Sequence, residues 1–147
     1  MTNIITRKFL RYNGACYTDA QMDSLGPPDG LPLVGVLRLD IPATDRIWVA
    51  TLPGACSPAV MWEWQARLVE RALARVETPD PRSLAVVPLL RRLASGEAIP
   101  QEERDAAAWA ARAAAWAAID ASRDAEREQQ LADLRELCTC PWSEVAK

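Results

Sequence analysis

From Gln101 to Cys138 the chain is written in residues that favour one long α-helix, and the window Ala106 to Ala121 is mostly alanine. Alanine is the best helix former because it loses no side-chain entropy and buries no polar group. Pro100 stands just before the segment, where its missing amide proton costs the helix nothing. At about 1.5 Å per residue such a helix is roughly 57 Å long, more than the width of a domain of this size. Part of it is therefore expected to project or to be clasped by a partner. Trp109, Ala113, Trp116, Leu131, Leu134 and Cys138 fall on one stripe, which Asp120 and Arg127 interrupt. An alanine/tryptophan half is followed by a charged belt from Asp120 to Glu128 and then a leucine ending. The first half reads mainly as core of the chain's own domain. The belt and the leucine ending read as the place for a partner or a second copy.

Upstream, breakers set the boundaries. Thr18-Asp19-Ala20-Gln21 is a capping box, so a short helix is expected from Asp19 to Leu25, stopped by Gly26 in the turn Gly26-Pro27-Pro28-Asp29-Gly30. Residues 33–52 admit two readings. Val34, Val36, Ile47, Val49 and Thr51 favour strand, while Ile41-Pro42-Ala43-Thr44-Asp45 resembles a helix entrance, and the balance leans to short helices. Ser57-Pro58 places a serine cap before a proline at the first helical position. From there Trp62, Ala66, Val69, Leu73 and Val76 form one apolar strip and Met61, Trp64, Leu68 and Ala72 a second, an arc wide enough to be packed on two sides. Asp80-Pro81 opens another helix, Pro88 is expected to split it, and Ser95-Gly96 closes it. The resulting expectation is an all-α small helical bundle in one domain, with minor β structure open in the N-terminal third. Its parts are short helices and turns over 1–55, a central helix over 57–76, a proline-broken helix over 81–95 and the long helix over 101–138.

The 147 residues carry a formal net charge of −3 and no histidine. The near-neutral balance argues against a surface built for nucleic-acid phosphates. The missing histidine removes the usual acid/base near neutral pH, the commonest zinc ligand and any Ser-His or Cys-His nucleophile. Glu63, Glu70, Asp45 and Asp120 are acids that could converge, but nothing in the sequence selects a pair among them. Asp120 and Asp124, one helical turn apart, lack further cation ligands, and Arg123 and Arg127 share their neighbourhood, so a salt-bridged solvated belt is the simpler reading. Pairing of Asp120 with Arg46 in the N-terminal half is an intermediate reading. Arg7, Lys8 and Arg11 with Phe9 and Tyr12 make a small basic-aromatic patch, too unspecific to indicate single strands. Cys16, Cys56, Cys138 and Cys140 could form a four-thiolate zinc site, but two of them are isolated, and reduced idle thiols fit better. Neither a signal peptide nor the roughly 20 apolar residues of a membrane span is found, so a cytoplasmic protein is expected. Trp142 near the terminus reads as a ring folded back on the body or as an anchor for a partner.

Several pieces in order, Asn13-Gly14-Ala15-Cys16, Asp40-Ile41-Pro42-Ala43-Thr44-Asp45-Arg46-Ile47-Trp48, Asp80-Pro81-Arg82-Ser83 and the run Ala106 to Ala118, make the chain resemble a diffuse set of bacterial, phage and prophage proteins with alanine-rich C-terminal helices. The resemblance implies an all-helical fold, tips 41–52 toward helix, and brings no activity or catalytic residues. Small phage proteins of this kind commonly bind and block a host machine, as anti-CRISPR proteins do. The expected function is thus a non-enzymatic protein-interaction module inhibiting a bacterial defence complex, with no cofactor and no metal. Its candidate interface is Trp109, Arg112, Trp116, Asp120, Arg123 and Arg127. The alternatives are an immunity protein neutralising a toxin and a phage structural protein, and a homodimer through the long helix is a further option.

Overall fold

The computed structural model describes residues 3–109 and 123–139. Within them the chain is helical apart from one two-residue antiparallel pairing, β1 (Ile4–Ile5) with β2 (Leu31–Pro32), in register Ile4↔Pro32 and Ile5↔Leu31. The helices are α1 (Arg7–Tyr12), α2 (Asp19–Leu25), α3 (Leu33–Val36), α4 (Ala43–Thr51), α5 (Pro58–Leu73), α6 (Pro81–Leu84) and α7 (Val86–Ala94). Residues 101–109 form α8, and α9 spans Arg123–Thr139. The fold is all-α, and the segment 33–52 resolves into α3 and α4 in place of strand. Whether α8 and α9 join into the one expected helix rests on 110–122, which lie outside the described residues. Cys140 and Trp142 lie outside them too.

Local chemistry starts these helices where the sequence indicates. At α2 the Gln21 amide donates to the Thr18 hydroxyl at 3.2 Å, and the Thr18 amide donates back to Gln21 Oε1 at 2.8 Å. Ser57 accepts from the Val60 amide at 3.3 Å ahead of α5, and Asp80 accepts from the Arg82 amide at 2.8 Å ahead of α6. Proline follows both caps at the first helical position. The break expected at Pro88 falls at Ala85 instead, so Pro88 sits in the first turn of α7. There its nitrogen faces no helical carbonyl, and the reason to break the helix vanishes.

The wide apolar arc of α5 meets two layers. On one side Ala66 and Val69 pack with Val86, Val87 and Leu90 of α7. On the other, Val60 and Trp64 join the main core, which Leu33, Val36, Leu37 and Val49 of the N-terminal half share with Leu131, Leu134 and Leu137 of α9. Leu131 and Leu134 are fully buried. The leucine ending of α9 therefore belongs to this chain's own core, contrary to the expectation of a partner surface. Stripe spacing alone cannot separate an apolar face that meets a partner from one that meets its own domain. Arg135 fastens the same helix from its flank. Its Nε and Nη2 donate to the Leu37 carbonyl at 3.0 and 2.9 Å, filling an acceptor left open at the end of α3.

The turn into β2 depends on Gly30, at φ +96°. A Cβ there would stand 2.4 Å from the Ile5 carbonyl oxygen, across the strand pairing. Gly30→Ala combines that clash with a backbone conformation that L-residues avoid, so a loss of about 2 kcal/mol or more is expected in chemical denaturation. Gly54→Ala is its control, because φ is also positive (+84°) but nothing lies within 4 Å of where its methyl group would stand.

Candidate functional site

A cavity of about 440 Å³ lies in the N-terminal half. Leu10 of α1, Met22 and Leu25 of α2, Leu31 of β2 and Val36 of α3 supply apolar wall. α4 supplies another wall, where Asp45, Trp48 and Val49 follow at the three- and four-residue spacing of one helical face, with Ile41 just ahead of the helix. Two ion pairs, Arg7 with Asp23 and Arg11 with Asp19, join α1 to α2 along the outer side. They pair two of the three cations of the expected basic patch, Arg7 and Arg11 but not Lys8, and Phe9 packs against the main core. Tyr12 stays exposed. Arg11 holds the Asp19 carboxyl below the usual carboxylate range.

One polar contact crosses the cavity. The Tyr17 phenol donates to Asp45 Oδ2 at 2.6 Å. This hydrogen bond to the carboxylate, with desolvation and the Asp45 charge behind it, pushes the Tyr17 pKa up to about 12. Raised above its unfolded value, the phenol contributes stability that is complete below about pH 10 and lost as pH rises through about 12. Since the chain has two tyrosines, a Tyr12→Phe protein reports Tyr17 alone. Its tyrosinate absorbance is expected to rise near pH 12, and Asp45→Asn should bring that rise back toward 10.

A second constellation joins α5 to α9. Arg67 and Arg71 of α5, and Arg75 in the turn just past its end, follow at a spacing of four and face Glu126, Asp133 and Glu136 of α9. Arg71 donates to Glu126 Oε1 from Nε (3.2 Å) and Nη2 (3.0 Å), and to Asp133 from Nη1. Arg75 reaches Glu126 Oε2 at 2.8 Å, and Arg67 grips Glu136 at 3.0 and 3.3 Å. Because the pairing runs down α9 as it runs up α5, the two helices are antiparallel. Glu126 and Asp133 are both only 5 % exposed. At Glu126 the belt is therefore not the solvated ladder of same-helix pairs that its spacing suggests. The spacing of four between the α5 arginines is the available signal, but nothing in it names a partner 51 to 69 residues away.

The other expected groups are dispersed. Trp109 stands 75 % exposed, against the expectation of core packing, while Ala107 of the same helix is buried. Helical phase explains the difference, since residues two apart on a helix point to different sides. Arg127 is half-buried, and Arg123 is the first described residue of α9. Arg112, Trp116 and Asp120 lie outside the described residues. The partner expected for Asp120, Arg46, is within 3.7 Å of Glu128. Glu63 and Glu70 are both bound by Arg91 of α7 and stand apart from Asp45 in the cavity wall. Cys16 is exposed and lines the cavity, whereas Cys56 and Cys138 pack half-buried against the main core. Burial, with Cys138 nearby, pushes the Cys56 thiol up to about 12, and burial also raises Cys138. Thiols so shifted are protonated near neutral pH. Among the described residues no group of three or more acids and thiols is placed to hold a metal ion, and no helix is long and apolar enough to cross a membrane. In comparisons with protein-family models, curated proteins and solved structures, the chain matches none.

Proposed function

We propose that this chain is a non-enzymatic protein-interaction module, of the kind that phages and mobile elements carry to block a bacterial defence complex in the host cytoplasm. The observation that supports it is Trp109, a large ring left 75 % exposed on α8. Covering an indole on binding contributes a few kcal/mol at about 25 cal/mol per Å², and tryptophan is the residue type most enriched among binding hot spots. Arg112, Trp116, Asp120, Arg123 and Arg127 follow it in the chain and complete the proposed surface. The α5–α9 face is a poorer candidate, because its charges already satisfy one another.

The test is capture of partners from a bacterial host by the tagged protein, beside its Trp109→Ala variant and a charge-reversed Asp120/Arg123 variant. Capture of a multisubunit defence complex is expected, with binding reduced at least tenfold by Trp109→Ala, about 1.4 kcal/mol or more. The thermal melt should be unchanged, because the ring is exposed. Equal capture by all three proteins would overturn the reading. A toxin or virion proteins in the eluate would replace it with the immunity or structural alternative, and self-capture alone with a homodimer. Removing α9 is no test, since it removes Leu131, Leu134 and Leu137 from the core.

A further inference from the structure

The cavity beside α2 has one corner that its apolar walls do not explain. Asp45 projects there from α4 on the face that also carries Trp48 and Val49, and Tyr17 closes the corner from the α1–α2 connection. A carboxylate has about four acceptor positions. Tyr17 fills one at 2.6 Å, and the Thr44 hydroxyl, at 3.5 Å, is a weak second. Among the described residues no arginine or lysine lies within 4.0 Å of Asp45. Arg7, the other charged residue of the lining, pairs with Asp23 through its guanidinium end, and its buried Nε has no hydrogen-bond partner. Among the described residues Asp45 is thus a carboxylate without an ion pair, beside Tyr17 and Trp48 in a space of about 440 Å³.

That combination has a chemical preference. An ammonium group gains from a carboxylate and from the faces of tryptophan and tyrosine rings, whereas a carboxylate ligand would meet repulsion at the same place. The volume lies in the range of small-molecule sites, which are usually built from apolar walls with a few placed polar groups. We propose that the cavity is a binding site for a small hydrophobic amine, its ammonium on Asp45 between Tyr17 and Trp48 and its apolar body against Leu10, Met22 and Leu31. This site is independent of the Trp109 surface. The amine is a free small molecule with an apolar body beyond its charged head, because most of the lining around Asp45 is apolar.

Calorimetric titration of the whole protein at neutral pH with three probes of similar shape tests this: 2-phenylethylamine, the neutral 2-phenylethanol and the anionic 3-phenylpropanoate. Saturable binding of the amine is expected, with the alcohol at least tenfold weaker and the carboxylate not bound. Asp45→Asn should lower the amine to the level of the alcohol, and Leu39→Trp, which fills the cavity, should abolish both. Amine binding that survives Asp45→Asn, an alcohol that binds as well as the amine, or no saturable heat from the amine at millimolar concentration would each overturn the proposal. If circular dichroism shows either variant unfolded, the amine-to-alcohol ratio on the unaltered protein decides alone.

Discussion

Arg71→Met is expected to destabilise the protein by about 3 kcal/mol in urea or guanidinium unfolding, from the loss of one cation. Arg71 is the joint of the α5–α9 interface, since Glu126 and Asp133 both accept from it. Both carboxylates are buried, with side chains 5 % and 7 % exposed. Without Arg71 they lose the group that offsets their desolvation, and breaking such a buried pair typically costs about 3–5 kcal/mol. The low end applies because Arg75 remains on Glu126 and Arg67 stays 3.6 Å from Asp133. Arg91→Met is the control. Its partner Glu70 is an exposed side chain on the rim, and a loss below about 1 kcal/mol is expected there. Equal losses in the two variants would show that burial does not set the worth of these pairs. Replacing Arg71, Glu126 and Asp133 together by apolar residues of similar volume should recover most of the loss.

The second large effect concerns the leucines of the same helix. Leu134→Ala removes a fully buried side chain between α9 and the N-terminal half, and about 2–5 kcal/mol is expected to go with it. Leu84→Ala, at a residue 48 % exposed, should cost far less. If the leucine ending served a partner instead, Leu134→Ala would spare stability and abolish binding. The pair of measurements, melting and partner capture, separates the two roles, with Trp109→Ala expected to behave in the opposite way.

These residues also mark where sequence reading succeeds and where it stops. Helix starts are local events. Thr18 with Gln21, Ser57 with Pro58 and Asp80 with Pro81 are legible because both partners lie within one helical turn. The two apolar strips of α5 are legible too, since periodicity is a property of the segment itself. Pro88 misleads because its effect depends on its position in the turn, which is fixed by where α6 ends. The partners of Glu126 and Asp133 are hidden for a different reason. A carboxylate beside arginines on one helix has the same spacing whether it faces water or a second helix, and the choice is made by residues far away. The cavity is hidden likewise, because it is the space left among six short elements. The spacing Asp45, Trp48, Val49 describes one of its walls and gives no sign of the opposite one.

The grip of Arg135 on the Leu37 carbonyl spans 98 residues of sequence, and Trp64 reaches 66 residues to the Gln130 carbonyl. Contacts of this span form only after a long stretch of chain has been closed into a loop. During synthesis the first half must therefore wait. Leu33, Leu37, Val49 and Trp64 leave the ribosome well before Leu131 and Leu134, which cover them, have been made. At 5–20 residues per second, roughly, that interval lasts several seconds, long compared with hydrophobic collapse. The nascent chain thus carries an unfinished apolar face through most of its translation, exposed to chaperones or to neighbouring chains, until α9 arrives to seal it.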